Sequence, residues 1–443
     1  MSDTSATPIT HSRVLRIAIP ILLSNVTIPI LGAVDTGVVG QIPQPEPIAA
    51  VGVGAIVLSA IYWVFGFLRM GTVGLAAQAA GAGDRAEVAA LLTRALLIGI
   101  GAGVLLIAVQ WGIFAAAFAV SPASPEVEAM ARSYMQIRIW SAPAAIAIYG
   151  ITGWLIAQER TRAVLGIQVV MNGMNMGLDV LFVLGFDWGV RGVAVATVIS
   201  ELCGVALGLW YCRAAFRVPA WRDWERVFDR VRLTRMALVN RDILIRSMLL
   251  QVIFLSFMFF GSDFGDVQLA ANQVLIQFLF ITAYALDGFA FAAEAFVGQA
   301  LGRGDRAALR RGSLLTGLWG LIICVVLAVV FALTGGMIID LMAKSEPVQQ
   351  AARAYLPWMV AAPIIGVASW MLDGIFIGAA RSVDMRNMMA VSFVIYGIAL
   401  VVLMPWLDNH GLWAALLISF AARGVTLAIK YPGLERDADR VEA

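Results

Sequence analysis

Long apolar runs alternate with short polar connections along the whole chain. Twelve of these runs reach the ~20 residues that a helix needs to cross a bilayer, and several are longer. The pattern predicts helices at 14–40, 48–80, 88–118, 127–157, 163–186, 190–213, 241–262, 268–300, 308–334, 347–379, 384–405 and 410–430. We therefore predict an all-α polytopic membrane protein with twelve transmembrane helices.

The composition supports that prediction. Hydrophobic residues fill 61% of the 443 positions and charged residues 14%, whereas soluble proteins carry about 25% charged residues. The two histidines, His11 and His410, lie outside the predicted helices, and no HExxH or Asp-rich metal motif occurs. We therefore expect no enzyme, no metal site and no cofactor.

Basic residues are concentrated in every second connection. The intervening connections "IPQPEP", "VSPASPE", "GSDFGDV" and "LDNHG" contain none, and only Arg191 and Lys344 break the alternation. Basic connections stay on the cytoplasmic side of a membrane. The sequence therefore predicts a multi-pass protein of the bacterial inner membrane with both termini in the cytoplasm.

An internal repeat divides the chain. Residues 48–86 can be laid over 269–307 at an offset of 221, which places "QAAGAGDRA" on "QALGRGDRA"; "ARSY" and "ARAY" further along match at the same offset. The repeat predicts an N-lobe at 1–213, a cytoplasmic Arg-rich linker at 214–240 and a C-lobe at 241–443. Six helices per half make the repeats parallel, which is typical of transporters whose two pseudo-symmetric bundles rock about a central cavity.

Several polar residues of the N-lobe are predicted to lie at one depth. Asp35, in "ILGAVDTGVVGQ", is about 8 Å below the outer end of the first helix at 1.5 Å per residue. The same counting places Asp179 in the outer half of the fifth helix, with Asn175 one turn away, and Thr197 about 8 Å down the sixth. These four residues are predicted to form one polar pocket that opens to the outside.

Intramembrane acids are functional by default. Desolvation favours the protonated form of a buried carboxyl group, and a second carboxylate nearby favours it further. Asp35 and Asp179 are therefore predicted to load and release a proton, as a coupling site must.

For the other polar residues inside the predicted helices, the sequence leaves more than one interpretation open. Glu201 either extends the coupling network or makes a static hydrogen bond to a neighbouring helix. Asp287 and Asp373 either line the cytoplasmic side of the cavity or close a gate, and Glu294 is a further intramembrane acid. Arg69 either extends to the inner interface or pairs with a C-lobe acid.

Helix 1 contains Pro20 and Pro29, each of which removes a backbone hydrogen bond and favours a kink. The kink either bends when Asp35 changes charge or is static.

The segments that carry these residues resemble the multidrug and toxic compound extrusion (MATE) family, and within it the DinF (DNA-damage-inducible protein F) branch. The resemblance covers nearly the whole chain. It is carried by "VDTGVVGQ", "FLRMGTVGLAAQAAGAGD", "NGMNMGLDVLFVLG", "GVAVATVISE", "ALDGFAFAAEAFVGQALGRGD" and "LDGIFIGAARS".

The resemblance implies the MATE fold of two six-helix bundles and ion-driven export. It also implies that Asp35 is the proton-responsive acid, that Asn175, Asp179 and Thr197 lie around it, and that helix 1 bends at Pro20. Asn172 is a further candidate for this network or for a gate. The acid that other branches carry in helix 7 has no counterpart in "ILIRSMLLQVIFLSFMFF". That difference favours H⁺ over Na⁺ as the driving ion.

The leading hypothesis is a proton-coupled antiporter that exports cationic or amphipathic drugs or toxic metabolites by alternating access. The alternatives are a Na⁺-coupled exporter and a lipid-linked-saccharide flippase of the same superfamily. A flippase would need a cation-rich cavity for pyrophosphate, whereas the embedded ionisable groups are mostly acids. We expect a monomer that contacts membrane lipids and a small organic substrate but no nucleic acid.

Overall fold

The computed structural model describes residues 8–42, 46–120 and 124–441, apart from the side chains at positions 33, 35, 36, 120, 440 and 441. Within those residues the chain is helical and contains no strand. The α-helices are α1 His11–Val39, α2 Glu46–Val64, α3 Phe67–Gly81, α4 Arg85–Val120, α5 Pro125–Arg138, α6 Ala142–Ala157, α7 Thr161–Asp179, α8 Gly189–Tyr211, α9 Trp224–Val227, α10 Arg230–Ser262, α11 Asp266–Arg303, α12 Arg306–Met342, α13 Glu346–Gly378 and α14 Ser382–Val441.

The predicted number of membrane-spanning helices is confirmed once one break is considered. Among the described residues, eleven helical stretches are long and apolar enough to cross a membrane. The last stretch contains two helices, because Asp408 has a non-helical backbone (φ 49°, ψ −132°). The break lies between the predicted eleventh and twelfth helices.

The α14 break is held by buried amide side chains. Asn409 and Asn272 donate to each other's side-chain oxygens at 2.8 and 2.9 Å, and Trp413 donates its indole N–H to Asn272 at 2.9 Å. All three side chains are buried, and the Trp413 ring packs edge-on against Phe257. Satisfied amides stabilise a chain reversal that an apolar environment would otherwise oppose.

Three other spans are interrupted. The second consists of α2 and α3 with a turn at Phe65 and Gly66, and the fourth consists of α5 and α6 joined by a 3₁₀ turn, Ile139–Ser141. The fifth continues from α7 into a π-helical turn, Val180–Gly185, which no sequence pattern predicted. Helix α1, in contrast, is continuous through Pro20 and Pro29.

Contacts divide the chain into two compact units. The first contains residues 23–76 and 84–233, and the second contains 77–83, 234–441 and the described residues up to 22. Two short segments of the N-terminal half, including the first turns of α1, therefore pack with the C-terminal half.

The predicted linker is ordered and packs on α4. Its second half is already helical, because α10 begins at Arg230. The buried Arg94 guanidinium donates to the carbonyls of Val227 (2.9 Å) and Arg226 (2.6 Å), and it forms an ion pair with Glu87 at 2.6 Å. Between α8 and α10 the linker forms one α-helical turn, α9.

The internal repeat is visible in the backbone. Gly83 and Gly304, which are 221 positions apart, have φ values of 73° and 76° after helices α3 and α11. The carboxylates of Asp84 and Asp305 then accept the backbone N–H groups of Glu87 and Ala308, each at 2.8 Å. The repeated "GxGD" is thus a left-handed helix end followed by an N-cap.

Within the second unit, the repeated segments also contact each other reciprocally. A Cβ atom on Gly81 would lie 2.0 Å from the carbonyl oxygen of Gln299, and one on Gly302 would lie 2.0 Å from that of Gln78. The offset of 221 relates both pairs. A two-fold relation between segments 78–81 and 299–302 produces such a reciprocal contact, and only glycine allows it.

We predict that Gly83→Ala destabilises the protein by about 1–2 kcal/mol, because a Cβ atom disfavours a positive φ. No neighbouring atom lies within 4 Å, so the cost is conformational. Thermal unfolding in detergent measures it. Gly101→Ala is the control: its Cβ atom also has free space, but the site is helical in α4, so alanine is neutral or stabilising there. Equal midpoints for both variants would contradict the prediction.

Candidate functional site

A buried polar strip lies along α7. Asn172, Asn175 and Asp179 follow one another at helical spacings of three and four residues, and their side chains are 3%, 2% and 0% exposed. An amide or carboxyl group buried this deeply is costly unless other polar groups surround it. The strip is therefore a local polar environment within an apolar bundle.

Two neighbouring helices supply hydrogen-bond partners to the strip. The Asn175 amide donates to the Thr197 hydroxyl of α8 at 3.1 Å, and that hydroxyl donates to the Val193 carbonyl at 2.9 Å. The Asn172 amide donates to the Thr27 hydroxyl of α1 at 2.6 Å. The structure thus brings Asn175 and Thr197 together, and Thr27 is a member of the network that the sequence analysis missed.

Residue 35 lies on α1, but the Asp35 side chain is outside the described residues. The backbone still fixes its height. As first and fifth spans, α1 and α7 cross in the same direction, and they touch at Thr27 and Asn172. Residue 35 lies eight positions after Thr27, about 12 Å along α1. Asp179 lies seven positions after Asn172, about 11 Å along α7.

The strip ends at the π-helical turn. Asp179 is the last residue of α7, and Val180–Gly185 follows it as a π-helical turn, in which backbone hydrogen bonds span five residues instead of four. Phe182 in this turn stacks on Trp188 with ring centroids 5.0 Å apart, and on Phe186 at 5.9 Å. Single π turns inside α-helices are frequent at functional sites. This turn begins directly after the buried acid.

Glu201 does not contact the strip through any hydrogen bond in the described part of the chain. Its carboxylate forms an ion pair with Arg138 of α5 at 2.8 Å, with the two side chains 14% and 9% exposed. Arg138 also donates to the Ser141 hydroxyl at 3.1 Å and lies 5.9 Å from the centre of the Tyr62 ring. Of the two hypotheses for Glu201, the structure supports the bond to a neighbouring helix.

Asp373 is also ion-paired. It accepts a short hydrogen bond from Arg246 of α10, and the Nε atom of Arg423 on α14 lies 3.6 Å from the same carboxylate oxygen. All three side chains are buried. The sequence analysis missed Arg138, Arg246 and Arg423, although a basic residue inside an apolar span is as exceptional as an acid.

The remaining predicted residues are distributed over other helices. Glu294 is buried on α11, Asp287 is half-buried on the same helix and Arg69 is half-buried on α3. Each of the three has an interaction partner. A Cβ atom on Gly378 of α13 would lie 2.4 Å from the Glu294 carbonyl oxygen, so the backbones are in close contact at this acid. The functions of these three residues stay predictions.

Comparisons with known proteins identify the family. The MatE family model matches residues 20–181 and again residues 243–403, once in each half of the internal repeat. The chain belongs to the MATE family. MATE proteins are membrane transporters that export drugs and other small organic compounds, not enzymes, and they need no cofactor.

Individual relatives agree with the family. The chain is 39% identical over 427 residues to DNA damage-inducible protein F of Escherichia coli, covering 93% of this chain and 90% of that protein. It is 26% identical over 383 residues to a probable multidrug resistance protein NorM of Synechococcus, covering 82% and 78%. The MATE transporter VcmN of Vibrio cholerae in its bent form superimposes with a TM-score of 0.86 at 18% identity, covering 97% and 98%. The predicted DinF-type MATE fold is confirmed.

We predict that Arg138→Met and Glu201→Leu are each strongly destabilising, by about 3–5 kcal/mol, because each leaves a buried charge unpaired. The double variant should recover most of that loss, since it buries no charge. Thermal unfolding in detergent compares the three.

The control pair lies on the same helix. Arg132 and Glu128 form an ion pair at 2.6 Å, but their side chains are 34% and 32% exposed. Arg132→Met should therefore cost less than about 1 kcal/mol. If Arg138→Met lowered the free energy of unfolding by no more than Arg132→Met does, the buried ion pair would not stabilise the fold.

Proposed function

We propose that this MATE transporter is a proton-coupled antiporter, with Asp35 and Asp179 as the coupling acids and Asn172, Asn175 and Thr197 as their polar surroundings. The observation that carries the proposal is the buried strip on α7 together with its hydrogen bond to α1. That bond aligns residue 35 with Asp179 at one height. Two carboxyl groups in an apolar bundle favour retention of a proton, and a change in solvent access favours its release.

The proposed transport cycle uses the internal repeat. An N-lobe at 1–213 and a C-lobe at 241–443, joined by residues 214–240, alternate access to a substrate site as parallel-repeat transporters do. Protons enter from the outside to Asp35, and a cationic or amphipathic compound leaves on the same side. Both termini face the cytoplasm of a bacterial inner membrane, and the protein acts as a monomer in contact with lipids.

Protons are favoured over sodium by the chemistry of the residues. The acid that other branches of the family carry in the seventh membrane span has no counterpart in residues 243–260 of α10, and a sodium site of that type would need its carboxylate oxygens. The proposal also includes bending of α1 at Pro20 or Pro29. Both prolines, one buried and one exposed, lie inside this helix, and each removes a backbone hydrogen bond that would resist bending.

The flippase remains the second candidate, and one observation favours it more than the sequence did. The expectation that embedded ionisable groups are mostly acids is wrong in part, since Arg138, Arg246 and Arg423 are buried within spans. Arg138 is neutralised by Glu201, which leaves the Arg246–Arg423 cluster as the cationic feature. A pyrophosphate-linked lipid would need that cluster, whereas drug export driven by protons would need Asp35.

We predict that Asp35→Asn abolishes ethidium efflux from proteoliposomes driven by an imposed pH gradient, because asparagine cannot exchange a proton. Asp179→Asn should reduce the same rate strongly. Fluorescence of the released dye is the measurement, and the rate without protein is the baseline.

Asp340→Asn is the control, because its carboxylate is 42% exposed and pairs with Arg353 within the second unit, whereas the strip belongs to the first. Efflux by Asp35→Asn at the wild-type rate would refute the coupling assignment. Efflux driven by a sodium gradient without a pH gradient would reassign the ion.

A further inference from the structure

The charges around Asp373 do not balance. Arg246 and Arg423 both approach one oxygen of this carboxylate, so two guanidinium groups share one acid. Asp373 is the only acid within ion-pair distance of either guanidinium in the described chain. The side chains of the three residues are 8%, 2% and 9% exposed, in the order Arg246, Arg423, Asp373. A net positive charge is therefore buried inside the second unit.

The acid one turn away on α10 does not supply the missing charge. Asp242 lies one turn before Arg246 on α10, but its carboxylate is already bound by Arg386 at 2.7 Å, Arg241 at 3.0 Å and the Ser382 hydroxyl at 3.2 Å. This second cluster also contains two guanidinium groups for one carboxylate. Asp242 is thus no counter-ion for the inner pair.

Hydrogen-bond donors are unused at the same place. The Nε–H groups of Arg246 and Arg423 are buried and donate no hydrogen bond within the described chain, since the Asp373 oxygen is 3.6 Å from the Arg423 Nε atom, beyond hydrogen-bond distance. The remaining contacts of Arg423 are the Ser369 hydroxyl at 3.0 Å and the Met389 sulfur at 3.8 Å, which is a weak acceptor. Buried charged donors without acceptors are costly. An additional anion would satisfy both the charge and the donors.

Apolar side chains surround the unbalanced charge. Arg423 lies 5.8 Å from the centre of the Phe420 ring, and Trp370 packs on that ring at 5.4 Å. With Met389, these residues provide an apolar surface next to the guanidinium groups. An anionic group attached to an apolar body matches such surroundings better than a small hydrated ion does.

We propose that Arg246, Arg423 and Asp373 form a binding site for the carboxylate of an amphipathic substrate. Guanidinium groups bind carboxylates and phosphates through paired, charge-assisted hydrogen bonds, and a singly charged carboxylate matches the one positive charge that Asp373 leaves unbalanced. The proposal extends the substrates of the exporter from cations to amphipathic carboxylates and zwitterions. It rests on the proposed export of amphipathic compounds, but it does not depend on proton coupling.

Equilibrium binding to the purified full-length protein in non-ionic detergent tests the site without any ion gradient. Decanoate and decyltrimethylammonium have the same alkyl chain and opposite charges, so their affinity ratio isolates the charge. Arg423→Gln neutralises the cluster, leaves Asp373 paired with Arg246 and retains a donor for Ser369. Titration calorimetry should show that the ratio of decanoate to decyltrimethylammonium affinity falls roughly tenfold or more.

Asp373→Asn should change that ratio in the opposite direction, because it increases the net positive charge. If the ion pair were merely structural, both variants would instead lose affinity for both ligands. Arg246→Gln neutralises the cluster from the other side and replaces Arg423→Gln if that variant does not fold. Arg353→Gln, an exposed arginine of the same unit paired with Asp340, is the control and should leave the ratio unchanged.

An unchanged affinity ratio in Arg423→Gln or Arg246→Gln would overturn the proposal, as would a lower ratio in Asp373→Asn. Acetate, which carries the carboxylate without the alkyl chain, should bind much more weakly than decanoate. Equal binding of the two would mean a site for a small anion, which overturns the assignment to a substrate.

Discussion

A charged or amide group inside an apolar bundle must find its partner within the protein, because the surrounding hydrocarbon offers none. The architecture of this transporter follows that constraint in several places. Arg138 binds Glu201, Asn272 and Asn409 bind each other, and Arg94 ties the linker backbone to α4. Each of these contacts joins helices that are distant in sequence. The polar minority of residues therefore decides which apolar helices pack together.

Close backbone contacts accompany these polar contacts. Where α3 and α11 meet in the second unit, Gly81 and Gly302 allow each helix to approach a carbonyl group of the other. The internal repeat relates the two contacts to each other, so each half supplies one glycine that lies against a glutamine carbonyl group of the other half. Small residues contribute to helix association in membranes by allowing such approaches. The symmetric pair also explains why "QAAGAGDRA" and "QALGRGDRA" have kept the same spacing of glutamine, glycine and aspartate within this chain.

The distribution of charge gives the two units different chemistry. In the first unit, one acid lies among amides and hydroxyls along α7, which suits a group that gains and loses a proton. In the second, guanidinium groups outnumber carboxylates around Asp373 and Asp242, which suits an anionic ligand. In the proposed cycle, this difference separates the site of the driving ion from the site of the substrate by charge.

The amino-acid sequence by itself determined the number of spans, the break before His410, the repeat and the family, because these depend on local hydropathy and on residue spacing. It also placed Asn175 beside Thr197, since counting 1.5 Å per residue along two adjacent antiparallel helices suffices. Only the tertiary structure decided which groups neutralise Glu201 and Asp373, because their arginine partners lie on helices 50 to 127 positions away. The π-helical turn after Asp179 was equally hidden, because hydropathy and residue spacing do not distinguish a π-helical turn from an α-helical one. The function of Asp35 remains a prediction from the sequence, supported by the height of its backbone on α1.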